Sequence, residues 1–105
     1  MDRLEQLRQF VKEEPNDPFN QYALALELLK VNAVEARQLF EHLVRSFPQY
    51  LPTYYPYAQM LIEKKEAGKA EEIFNLGIER SRAAGDSKTL REIQALYNDW
   101  KYDVA

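Results

Sequence analysis

DPFNQYALALELLKVNAVEARQLFEHLVRSFP, residues 17–48, is the stretch whose reading decides the fold. It opens on Asp17-Pro18. The Asp side chain can accept hydrogen bonds from the free N–H groups of a first helical turn, and proline suits the first helical position. Phe19, Tyr22, Ala23, Leu24, Ala25, Leu26, Leu28 and Leu29 follow, more than one apolar stripe. A helix that is apolar on most sides must touch neighbours on two of them. The spacing predicts a helix over 18–31, stopped by Asn32 through the left-handed conformation that Asn tolerates. A second helix is predicted over 33–46, with Ala36, Leu39, Phe40, Leu43 and Val44 on its inner stripe and Pro48 as its stop.

Moving outward, the pattern repeats. Leu24, Ala25 and Leu28 recur as Tyr57, Ala58 and Leu61 at an offset of 33, and Ala36 and Phe40 recur as Ala70 and Phe74 at an offset of 34. Pro15 and Pro48 are also 33 apart. The one-residue change falls between the helices of a pair, where a loop absorbs it at least cost. A helix is therefore predicted from Leu51 or Pro52 to Lys65, with an irregular first turn because Pro56 removes a backbone donor there. Another is predicted over 67–84, stopped by Gly85. Before these pairs, Leu4, Leu7, Phe10 and Val11 mark a helix over 2–14; after them, Asp86 or Ser87 caps a helix carrying Leu90, Ile93, Leu96, Tyr97 and Trp100. All connections are short, so successive helices are expected to be antiparallel neighbours.

The pattern resembles the tetratricopeptide repeat, which places a large residue, then Leu-Gly, then Tyr in a first helix, with Ala, Phe and Pro in and after a second. One copy reads Gln21, Leu24-Ala25, Leu28, Ala36, Phe40, Pro48; the next reads Tyr54, Tyr57-Ala58, Leu61, Ala70, Phe74. Small residues at Ala25 and Ala58 allow the axes of a pair to approach closely. Three positions depart from the pattern. Gln21 replaces an aromatic, Arg82 stands where a closing proline would fall, and of Leu43 and Gly77, at a position usually small, only Gly77 follows the family. The resemblance implies an all-α fold of antiparallel helix-turn-helix repeats, an α-α superhelix of about six helices. Residues 1–105 are expected to form one domain: 1–15 a half-repeat, 16–48 and 49–85 two repeats, and 86–105 a C-terminal capping helix.

Such a fold implies a concave groove lined by the first helix of each pair. The family's groove positions fall on Phe19, Tyr22, Leu26, Leu29 and Lys30 in the first copy, and on Tyr55, Gln59, Ile62 and Glu63 in the second, with Pro52 at the rim. This largely apolar and aromatic surface suits a peptide segment or partner helix with apolar anchors. The same aromatics also fit a buried stripe. Tyr55 is the clearest outward candidate, since Tyr54 and Tyr57 supply the inward face. The Lys and Asn clamp by which some family members hold acidic chaperone tails is not expected, because Tyr22, Leu26 and Pro56 stand at its positions. A different class of function is self-association, with a second copy paired through Leu4, Leu7, Phe10 and Val11.

Composition narrows the remaining classes. The 105 residues carry 46% hydrophobic and 30% charged side chains with a net charge of −3, which fits a globular chain with no basic run to draw nucleic acid. Lys64, Lys65 and Lys69 cluster, but Glu63, Glu66, Glu71 and Glu72 surround them. There is no cysteine, hence no disulfide or thiolate metal site. No signal sequence is expected in MDRLEQLRQF and no bilayer-spanning run elsewhere, so a cytoplasmic, non-membrane protein is the expectation. The enzyme inventory is thin. His42 is the sole histidine, beside Glu41 and Arg45 on a surface helix; Glu13-Glu14 and Glu71-Glu72 are adjacent pairs that point apart; Gly68, Gly77 and Gly85 are isolated. No nucleophile triad, phosphate loop or cofactor site is predicted.

Overall fold

The computed structural model describes residues 2–104, so Met1 and Ala105, the ends of the expected domain, lie outside the described residues. The helices group into two compact units divided after Tyr50. Every regular element among the described residues is helical.

The first unit holds α1 (Arg3–Glu13), α2 (Pro18–Leu28) and α3 (Ala33–Ser46). Capping fixes each start. Asp2 Oδ1 accepts from Glu5 N–H at 2.9 Å, Asp17 Oδ1 from Phe19 N–H at 3.0 Å, and Asn32 Oδ1 from Glu35 N–H at 3.1 Å. Asn32 thus begins α3 rather than stopping α2, and its φ of −152° is not left-handed. α2 ends at Leu28, short of the expected Val31, because Lys30 and Val31 N–H turn to the carbonyls of Glu27 and Leu28 at 3.2 and 3.0 Å. These i→i+3 bonds tighten the end into a turn.

α2 packs against both α1 and α3, as its two-sided apolar pattern required. Leu7, Leu24, Ala25, Leu28, Ala36, Phe40 and Leu43 are buried. Gln21, in place of an aromatic, is also buried, and its Nε2 donates to the Pro15 carbonyl at 2.8 Å. That bond ties α2 to the connection from α1. Arg8 on α1 donates to Glu35 on α3 through both terminal guanidinium nitrogens, Nη1 at 2.5 Å and Nη2 at 2.9 Å.

The second unit begins with a 3-10 turn, Leu51–Thr53, that leads directly into α4 (Tyr54–Glu63); α5 (Ala67–Ala84) and α6 (Ser87–Val104) follow. The irregular start expected around Pro56 is this turn, and α4 is shorter at both ends than the predicted 51–65. At its end Lys65 adopts φ 59°. Glu66 N–H bonds back to Leu61 O and Lys65 N–H to Ile62 O, both at 3.0 Å. This double closure, a Schellman motif, normally uses glycine. α5 ends the same way with glycine in place: Gly85 has φ 70°, and Asp86 and Gly85 N–H reach Ser81 O and Arg82 O at 3.0 and 3.1 Å. Asp86 then caps α6, accepting from Thr89 N–H at 3.0 Å and from its hydroxyl at 2.7 Å.

α5 packs against α4 and α6. Gly77 explains how closely. A Cβ there would meet Tyr54 Cβ at 2.9 Å, Tyr54 Cγ at 3.1 Å and Ile93 Cδ1 at 3.2 Å. α6 docks through aromatics: Phe74 lies 5.5 Å from Trp100 and 5.0 Å from Tyr97. Glu71 accepts the Tyr97 hydroxyl proton at 2.7 Å and faces Lys101 at 3.6 Å.

Candidate protein-interaction surface

The candidate positions lie on one helix in each unit, α2 in the first and α4 in the second. On α2, Phe19, Tyr22 and Leu26, with Leu29 at its C-cap, recur at helical spacing on one side. Phe19 is 59% exposed, whereas Tyr22, Leu26 and Leu29 are half-buried. Lys30 lies in the turn beyond the end of α2, exposed, with Nζ 3.4 Å from Glu27. The early end of α2 places it there.

Tyr22 is held by a neighbour that sequence reasoning missed. Its ring meets that of Tyr50 edge-on, with centroids 5.7 Å apart. Burial pushes both hydroxyls above the ordinary tyrosine range; at Tyr50, Tyr22 and the Asp17 carboxylate add to the rise. Both therefore stay protonated near neutral pH, as hydrogen-bond donors. The signal for Tyr50 was its place two residues after the helix-ending Pro48, where a connection carries Phe47 and Tyr50 on either side of the proline.

On α4, Tyr55, Gln59, Ile62 and Glu63 share one side. Tyr55 is 37% exposed, Gln59 and Glu63 are exposed, and Ile62 is half-buried. Pro52 is exposed in the preceding turn. Tyr54 and Tyr57 are buried, as the inward reading of these two required. Pro56 occupies the first turn of α4 and has no side-chain donor.

His42 is exposed; Ser46 Oγ lies 3.4 Å from its Nδ1, and the Phe47 ring is edge-on at 6.2 Å. A Ser-His contact of that length, on an open helix surface without an orienting carboxylate at the ring, falls short of a triad's requirements. Among the described residues no cluster of His, Asp or Glu has the arrangement to hold a metal ion. None of their helices is long and apolar enough to cross a membrane.

Paired helices recurring at 33–34 residues define an all-α helical-repeat protein. No protein-family model matches the sequence, and no curated protein does. Solved structures do match. The solution NMR structure of a tetratricopeptide repeat domain protein from Salinibacter ruber is 39% identical, covering 83% of this chain and 89% of that one, with a TM-score of 0.78. A crystal structure of a tetratricopeptide repeat domain protein from Salinibacter ruber is 38% identical, covering 82% and 97%, with a TM-score of 0.76. The chain belongs to the tetratricopeptide repeat family. In general terms that makes it a protein-interaction module.

Proposed function

We propose that this domain is a non-catalytic adaptor that takes a peptide segment or helix of a partner protein on an outward helix face, that of α2 in the first unit or that of α4 in the second. One observation carries the reading. All nine candidate positions retain exposure, the aromatics Phe19 at 59% and Tyr55 at 37% among them, while the neighbouring Tyr54 and Tyr57 are buried. An exposed aromatic beside a filled core is available for contact, and aromatics dominate the energy of protein interfaces. In this reading α1 is a half-repeat, residues 16–48 and 49–85 are the two repeats, and α6 is the cap that closes the second. A cysteine-free chain suits a reducing, cytoplasmic setting.

The test is a double replacement, Phe19→Ser with Tyr55→Ser. It is expected to keep the helical circular-dichroism spectrum while abolishing partner capture by the immobilised domain. Undiminished capture with an intact fold refutes the reading. A second reading rests on Phe10, 45% exposed on α1: a second copy of the chain could cover it. Sedimentation equilibrium over a wide concentration range decides this, since a strict monomer at the highest concentration removes it.

A further inference from the structure

α1 is the most lightly held helix of its unit. Its eleven residues fully bury one side chain, Leu7, whereas α2 buries four and α3 three. Phe10, three residues on, stays exposed. α2 is the helix against which α1 packs. A second tie runs to the first turn of α3, where Arg8 donates to Glu35 in the open, the two side chains 48% and 34% exposed.

The joint between α1 and α2 is sharp, and it is anchored from the α2 side. Glu14 N–H makes the last bond of α1, to Phe10 O at 2.9 Å. From the Glu14 carbonyl onward the chain is tied to the start of α2. Asp17 N–H reaches Glu14 O at 3.1 Å, and the buried Gln21 donates to Pro15 O at 2.8 Å. Pro15 keeps Glu14 out of the helical region, at φ −132° and ψ 71°. α1 can therefore swing free at Glu14 with both of these bonds intact.

We propose that α1 is a releasable strap: it undocks from α2 as one unit about Glu14 while α2 and α3 stay folded, and the Arg8–Glu35 pair is the clasp that sets how often it opens. Undocking and unwinding are one event, because a helix of eleven residues is too short to persist alone in water. α2 and α3 keep their own packing against each other when it leaves. The open form bares the side of α2 that α1 covers, so this helix has a covered and an uncovered state between which a partner can choose. A solvent-exposed arginine–carboxylate pair shifts such a balance only a few-fold, which makes the clasp adjustable by salt. The strap does not depend on a partner sitting on the outward faces of α2 or α4.

The experiment is native-state amide hydrogen exchange on the full 15N-labelled chain at low ionic strength. The amides from Gln6 to Glu14, bonded along α1, are expected to share one protection factor, at least about tenfold below those of Leu28, Phe40 and Leu43 in α2 and α3. Arg8→Gln is expected to speed the α1 amides about threefold further, measured against Phe40 and Leu43 in the same sample. Raised salt is expected to do the same in the wild type and little in the variant. Equal protection of all three helices means that the unit opens only as a whole, and overturns the strap. Protection that climbs steadily from Gln6 to Glu14 is fraying from the chain end, and overturns it too. α1 amides that keep their wild-type ratio to Phe40 and Leu43 in Arg8→Gln overturn the clasp.

Discussion

Replacing Gly77 by alanine sets two effects of known size against each other. Gly77 lies inside α5, where alanine gains about 1 kcal/mol of helix propensity over glycine. Against this, the new Cβ would sit 2.9 Å from Tyr54 Cβ and 3.2 Å from Ile93 Cδ1. Carbon atoms in ordinary contact stand roughly 3.5–4.0 Å apart, so the helices must part by about half an ångström or more. Rotamer changes give no escape at Tyr54: its Cβ is fixed to the α4 backbone, and the ring is buried. Overpacking a filled core costs about 1–3 kcal/mol, and a contact fixed to backbone belongs in the upper half of that range. The net expectation is a loss of roughly 1–2 kcal/mol, or about 5–10 °C in Tm. Gly68→Ala is the control, since nothing lies within 4 Å of its added Cβ; it is expected to gain a few tenths of a kcal/mol. Urea unfolding reads both changes, followed by far-ultraviolet circular dichroism and by the fluorescence of Trp100, the one tryptophan. If Gly77→Ala matches or exceeds the wild type, α4 and α5 do not approach as described.

Three further outcomes follow from the same structure. Lys65 holds a left-handed conformation that costs an L-residue about 1 kcal/mol, so Lys65→Gly is expected to leave stability unchanged or raise it by up to about that amount, despite the greater freedom of glycine when unfolded; a clear loss in the urea midpoint contradicts the assigned backbone. The hydrogen bonds from Arg8 hold the Glu35 carboxyl below the ordinary glutamate range, and those from Thr89 do the same for Asp86. Both groups bind protons more weakly when folded, so their stabilisation is full above the ordinary carboxylate range of about 4 and fades as pH falls through their lower folded values. Urea midpoints are expected to drop from pH 7 to pH 3, and Glu35→Gln to lessen the drop; an identical pH dependence in that variant refutes the coupling. Tyr97 is held above the ordinary tyrosine range by its bond to Glu71. The docking of α6 is therefore expected to weaken only at strongly alkaline pH, as Tyr97 loses its proton, with Tyr97→Phe lacking that transition in Trp100 fluorescence.

The chain's own order determined whatever depends on neighbours a few residues apart. Asp17-Pro18, Pro48 and Gly85 mark starts and stops because capping and backbone freedom are local, and α3 and α5 occupy the spans read for them. The 33–34-residue period named the repeat, and burial of Tyr54 and Tyr57 follows from their place on the inner stripe of α4. The outward direction of Tyr55 came from the same geometry by elimination. What only the tertiary structure decided depends on residues far apart in sequence or on competition between nearly equal local states. α2 yields three residues to a tighter turn, and Lys65 turns left-handed with no glycine to announce it. Gln21 finds its partner in the Pro15 carbonyl, and Gly77 is small because Tyr54, 23 residues earlier, presses against it. The Tyr22–Tyr50 contact exists only once the connection after α3 meets α2. Local hydrogen bonds are written along the chain; close packing is settled only when distant side chains compete for the same space.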